Sequence, residues 1–147
     1  MFCKNLYIVG SGGLAKEVMQ IFLRSNDVFN YKFCGYLDED RDKCDSKKIF
    51  YLPEKVLSSE DAIFIAIGDP RTKQRLRNLP NLSKAFNPIL IDNKASIAGT
   101  SYIGWGSIIF PYVVFTADNS AGQHTTIYQH SSLSHDTTVG NYCNITP

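Results

Sequence analysis

Residues 97–145 read IAGTSYIGWGSIIFPYVVFTADNSAGQHTTIYQHSSLSHDTTVGNYCNI, and within this stretch an apolar side chain returns at every sixth position. Counting from residue 91 gives Ile91, Ile97, Ile103, Ile109, Phe115, Ala121, Ile127, Leu133, Val139 and Ile145, ten apolar positions without a break. Four places after each stand Ala95, Ser101, Ser107, Val113, Asn119, Thr125, Ser131, Thr137 and Cys143, nearly all small. Helices repeat near 3.6 and half-buried strands near 2, so a sustained period of six requires a solenoid of short strands and corners. Three hexapeptides close one triangular coil of about eighteen residues, with the sixth-position side chains stacked inside and the small residues at crowded corners. Residues 89–147 are therefore expected to form a parallel β-helix of about three coils, whose hand the period does not fix. The last coil reaches "NITP" with neither a capping helix nor a polar closing repeat, so this domain is expected to be incomplete at its C-terminus, with an open strand edge.

Upstream the pattern changes. "LYIVG" (6–10) is a β-branched buried-strand run, "GSGGLA" a glycine turn, and "KEVMQIFLR" places Val18, Ile21 and Phe22 at helical spacing. A glycine turn between a strand and a helix lets the backbone approach a phosphate, and the helix end offers unpaired N–H groups. Gly10, Gly12 and Ala15 fit G-x-G-x-x-A, with Ser11 and Gly13 in the same turn. The next strand, "YKFCGYLDED", ends in Asp38, where an acidic residue meets a ribose hydroxyl, though Glu39, Asp40 and Asp42 crowd around it. "DAIFIAIGDP" predicts a strand over 63–67, with Gly68 and Asp69 at its carboxyl end. The glycine turn, Asp38 and Gly68–Asp69 are thus expected to converge outside the strand ends. The basic segment behind them offers Arg71, Lys73 and Arg75 to a diphosphate or to solvent. "AFNPILI" reads as a last strand, with Pro88 as the hinge, so residues 1–88 form an α/β, Rossmann-like domain.

Composition narrows the function classes. At 147 residues with 44% apolar content the chain supports a packed core. A net charge of +1 without a basic run argues against nucleic acid as a partner. The four cysteines form no C-x-x-C pair and read as buried thiols, which fits a reducing cytoplasm. The N-terminal run lacks a basic leader and a cleavage site, and no window approaches the roughly 20 apolar residues needed to cross a bilayer, so neither secretion nor membrane insertion is expected.

All three histidines, His124, His130 and His135, lie in the repeat. Imidazole can take a proton from an attacking amine or hydroxyl near neutral pH, and a neighbouring carboxylate can fix its tautomer. His135, followed by Asp136, is the candidate general base. His130 is either a second residue of that cleft or an outward corner residue, and His124 is the weaker candidate. Spacings of six and five place the three on different corners, so no metal is expected.

Together "YIVGSGGLAKEV", "GYLDED", "FIAIGDP" and "SSLSHDTTVGNYCNITP" resemble the bacterial sugar acetyltransferases of the sialic acid O-acetyltransferase and UDP-4-amino-sugar N-acetyltransferase family, over nearly the whole chain. The resemblance implies a Rossmann-like half that binds the nucleotide sugar and a left-handed β-helix. It implies a homotrimer that binds acetyl-CoA between subunits, with acetyl transfer to an amine or hydroxyl of a nucleotide-linked amino sugar (UDP-linked) or a sialic acid (CMP-linked). By resemblance, His135 is the base with Asp136 as its partner, and Gly10, Ser11, Gly12, Gly13 and Asp38 bind the substrate; position at the strand end and in the basic segment behind it adds Gly68, Asp69 and Lys73 to the expected substrate site. Lys73 stands where the family usually has arginine. Asn144 replaces a histidine often found in the "G-x-x-x-H-I" step and is the position assigned to the cofactor. The family continues for further coils, so a truncated, catalytically impaired nucleotide-sugar-binding module is the alternative. An NAD-dependent oxidoreductase would use the glycine turn but leaves the hexapeptides unexplained.

Overall fold

The computed structural model describes residues 3–25, 30–44 and 48–147. The chain opens with β1 (Lys4–Val9), α1 (Gly13–Ser25), β2 (Tyr31–Asp38), β3 (Ile49–Tyr51), β4 (Asp61–Ile65) and α2 (Pro70–Arg77). The four strands form one parallel sheet in the order β3-β2-β1-β4. β4 ends at Ile65, two residues earlier than the apolar run suggests, and Ala62 also pairs with Phe86. α1 buries Ala15, Val18, Ile21 and Phe22, which recur every three or four residues and so share one face. Asp69 caps α2 by accepting from the Thr72 N–H at 2.7 Å, with Pro70 at the first helical position.

From residue 90 onward the backbone turns through ten two-residue strands: β5 (Leu90–Ile91), β6 (Ser96–Ile97), β7 (Tyr102–Ile103), β8 (Ile108–Ile109), β9 (Val114–Phe115), β10 (Ser120–Ala121), β11 (Thr126–Ile127), β12 (Ser132–Leu133), β13 (Thr138–Val139) and β14 (Asn144–Ile145). They stack in three parallel faces, β5-β8-β11-β14, β6-β9-β12 and β7-β10-β13, each residue pairing with the one eighteen places on, as Ile109 does with Ile127. This is a left-handed parallel β-helix of about three coils, the coils as the hexapeptide count implies and the hand as the resemblance implies. Every strand ends on a sixth-position residue, and from Ile109 to Val139 these are buried. In the coil that holds Ile109, the large Phe115 is followed by Ala121, so one wide side chain is balanced by one small one at constant interior volume.

From the corner after Ile103 onward, the residue three after the sixth position takes positive φ: Gly106, Tyr112, Asp118, His124, His130, Asp136 and Tyr142. One step further, Ser107, Val113, Asn119, Thr125 and Ser131 are buried, and hydroxyls among them find partners. Ser107 Oγ donates to the Gly122 carbonyl and Thr125 Oγ1 to that of Gly140, both at 2.9 Å.

Both helices lie against the β5-β8-β11-β14 face. Ser25 Oγ donates to the Ile91 carbonyl at 3.0 Å, Arg24 Nε to the buried Asp92 at 2.9 Å, and Lys73 of α2 reaches Thr126. One apolar cluster runs from Ile8 and Phe64 through Val18 and Phe22 into Ile109, Phe115 and Ile127.

Candidate active site

The glycine turn follows β1. Gly10 adopts φ 102°, and a Cβ there would lie 2.8 Å from the Ala66 carbonyl oxygen, so the approach of the turn to β4 requires glycine. Gly12 and Gly13 differ: a Cβ on either meets nothing within 4 Å. Packing explains Gly10 and leaves the other two open to an approaching ligand. Ser11 Oγ donates to Asp38 Oδ2, and Asp38 Oδ1 accepts from the Asp40 N–H at 2.9 Å. Gly10 and Asp38 line a pocket of about 70 Å³ with Glu39, Ile67 and Thr72.

Beside this pocket Arg75 grips Glu39 with both guanidinium nitrogens, at 2.8 and 2.6 Å. That hydrogen-bonded pairing holds the Glu39 carboxyl below its usual range and raises Arg75. Gly68 lies just beyond β4, open around its Cα, while the Asp69 carboxylate is engaged as the α2 cap, whose hydrogen bonds hold its pKa down.

Two residues stand apart from their expected roles. Lys73, expected at a diphosphate, is 1% exposed and turned into the β-helix. Its ammonium donates to the His124 carbonyl at 3.2 Å, Thr126 Oγ1 at 2.9 Å and Asn144 Oδ1 at 3.2 Å. Burial pushes its pKa down to about 8, with the Cys143 thiol opposing the shift. Asn144, expected at the cofactor, accepts from Lys73 and donates through Nδ2 to the Gly68 carbonyl, tying β14 to the loop after β4. The physical reason is shared: α2 packs on the face that contains β11 and β14, so its inward lysine meets their polar side chains.

The histidines occupy three different corners. His135 is exposed, 79% for its side chain, and its Nδ1 lies 2.7 Å from Asp136 Oδ2. A carboxylate only accepts, so this contact puts the ring proton on Nδ1 and leaves Nε2 as the basic nitrogen. The pair sits on the corner between the β6-β9-β12 and β7-β10-β13 faces, opposite the face that α1 and α2 cover. His130 does not share that corner; it stacks on Tyr112 at 5.2 Å and 8°. His124 is buried and stacked on Tyr142 at 5.2 Å and 6°. Burial first, then the nearby charges of Arg77 and Lys73, depress its pKa to about 4. Among the described residues no group of three or more His, Cys, Asp or Glu is placed to share a metal ion.

The Glu39–Arg75 fork and the stacked rings escaped sequence reasoning. The first follows from tertiary approach and leaves no local signal. The second has one: residues 106, 112, 118, 124, 130, 136 and 142 are glycine, tyrosine, aspartate or histidine at the same period of six, and all but the two tyrosines are types that tolerate positive φ.

A Rossmann-like sheet with an open glycine turn, packed on a hexapeptide β-helix, defines the class. Residues 5–78 match the PglD N-terminal domain, and the chain belongs to that family. The fold is shared with solved structures, an acetyltransferase domain among them. It is similar to the acetyltransferase domain of PglB from Neisseria gonorrhoeae FA1090 (TM-score 0.82, 22% identity, 98% of this chain and 71% of that one). It is similar to PerB from Caulobacter crescentus, solved with CoA and GDP-perosamine (0.77, 22%, 95% and 67%), and to WeeI from Acinetobacter baumannii AYE (0.78, 20%, 96% and 68%). No curated protein matches the chain by sequence. No helix among the described residues is long and apolar enough to cross a membrane.

Proposed function

We propose that the chain is a subunit of a trimeric, cytoplasmic acetyltransferase that moves an acetyl group from acetyl-CoA to an amine or hydroxyl of a nucleotide-linked amino sugar or a sialic acid. Residues 1–88 hold the nucleotide, and residues 89–147 carry the base. The observation that carries this reading is the exposed, aspartate-paired His135 on the corner opposite its own glycine turn. An exposed hydrogen-bonded pair of this kind contributes little to stability, so the fold gives no reason for it. A base turned away from its own nucleotide pocket instead serves a pocket on a neighbouring subunit, as a closed ring of copies allows.

Substrate binding places the ribose at Ser11 and Asp38, with the diphosphate over Gly12 and Gly13 at the start of α1, where unpaired N–H groups favour an anion. The GDP-perosamine bound by PerB is the kind of ligand that fits this arrangement. In the reaction His135 Nε2 takes the proton from the acceptor amine or hydroxyl as that atom attacks the thioester carbonyl. The C–S bond then breaks, the thiolate leaves and is protonated, and Asp136 stabilises the imidazolium in between. No covalent enzyme intermediate is needed.

The test is release of free CoA thiol from acetyl-CoA in the presence of UDP-, GDP- or CMP-linked sugars. His135→Ala is expected to lower the rate by about 10²–10⁴-fold while leaving nucleotide affinity intact. His130→Ala is expected to matter less. Unchanged turnover in His135→Ala, or equal losses in both variants, would remove His135 from the role.

A further inference from the structure

A cleft of about 440 Å³ lies between the end of α2 and the corner that carries Gly106, His124 and Tyr142, lined among others by Arg77, Asn87, Trp105, His124 and Tyr142. It is separate from the glycine pocket. Thr72, near the start of α2, borders that pocket, whereas Arg77 ends the helix, roughly 8 Å further at about 1.5 Å per residue. It is also on a different corner from His135.

The lining is built for something other than packing. Among the described residues Arg77 is its only charged member and has no ion-pair partner. Asn87 and His124 are only 6% and 4% exposed, yet Asn87 Oδ1 and His124 Nδ1 are both enclosed without a hydrogen-bond partner. Both atoms are enclosed rather than open to the cleft, His124 Nδ1 against Gly106, so what the cleft offers a ligand is Arg77 and Trp105. Trp105 remains 52% exposed although Phe86 holds its ring edge-on at 5.3 Å. A pinned, half-bare indole beside an unpaired guanidinium offers a ring platform and an anion clamp together.

We propose that this cleft is a second binding site, for a small anion that carries a ring, with its charged group on Arg77 and its ring against Trp105. His124 is neutral there, its proton affinity lowered by burial and by Arg77 itself, so the cleft offers an anion a fixed cation and an uncharged polar wall. Phosphate on a planar base and carboxylate on a saturated sugar ring share this chemistry.

Trp105 is the only tryptophan, so its fluorescence in the whole assembled protein reports on this cleft alone. The probes are adenosine monophosphate, N-acetylneuraminate, and inorganic phosphate and adenosine as half-ligands. Saturable quenching by one of the first two is expected, and it identifies which source of anion the cleft takes. Affinity is expected to fall about tenfold or more for the half-ligands and in Arg77→Gln, which removes no side-chain hydrogen bond or ion pair among the described residues. The response is expected to persist in Gly12→Val, which alters the other pocket. The proposal is overturned if no probe saturates up to about 10 mM. It is equally overturned if the response survives Arg77→Gln, if it vanishes in Gly12→Val, or if the emission shifts with protein concentration alone, which would mean that a second copy fills the cleft.

Discussion

His124 and His135 lie eleven positions apart in the same repeat, yet the fold treats them as opposites. His124 is on a corner covered by α2, stacked on Tyr142, with its pKa pushed down to about 4. His135 is on the uncovered corner, paired with Asp136 and open to any molecule that approaches. The repeat makes the three corners equivalent; the α/β half removes that equivalence by packing on one face. Which histidine is free for chemistry is decided by where that half docks.

The largest expected effect is the catalytic one. His135→Ala is expected to abolish most turnover yet leave the melting temperature unchanged, since its side chain packs against nothing that holds the fold together. The stability effect belongs to His124. Its folded pKa is depressed from 6.5 to about 4, so between those values the unfolded chain binds a proton that the folded chain refuses. Stability is therefore expected to fall as pH drops from about 6.5 to about 4, by roughly 3 kcal/mol from this group. Urea unfolding across that range should show a shallower fall in His124→Asn, a residue that tolerates the corner's positive φ; an identical slope would contradict the burial argument.

A smaller contrast separates two glycines. Gly10→Ala forces a Cβ against the Ala66 carbonyl at positive φ and is expected to cost on the order of 2 kcal/mol in urea unfolding. Gly12→Val is expected to leave stability nearly unchanged and to weaken nucleotide binding in calorimetric titration. If Gly12→Val folds normally and binds nucleotide as well as before, the site lies elsewhere. An effect of about the same size as that of His124, in an alkaline window, is expected from Lys73. Its folded pKa is about 8 against 10.5 unfolded, so the unfolded chain holds the extra proton between these values and stability rises with pH through that window. The Cys143 thiol opposes the shift, and Lys73→Met should flatten the rise.

The β-helix was legible because its signal is periodic: ten apolar positions six apart leave one architecture, and each became the last residue of a strand. The glycine turn was legible as strand, turn and helix. The roles of Lys73 and Asn144 were not. Local sequence places Lys73 beside Arg71 and Arg75 on a basic helix, and only the docking of α2 on β11 and β14 turns it inward. The same docking buries His124. Contacts between two independently readable halves have no period and no local motif, so they escape sequence reasoning even where both halves are clear.

The central claim is that the base of one subunit serves the nucleotide pocket of another, and mixed oligomers test it directly. His135→Ala retains its pocket and lacks its base; Gly12→Val retains its base and lacks its pocket. Each alone is expected to be nearly inactive. Co-expressed in equal amounts and purified as mixed assemblies, they are expected to recover about a quarter of the wild-type rate, the fraction of subunit contacts that join an intact pocket to an intact base. Mixed assemblies as inactive as their parents would contradict the account and return His135 to the service of its own chain.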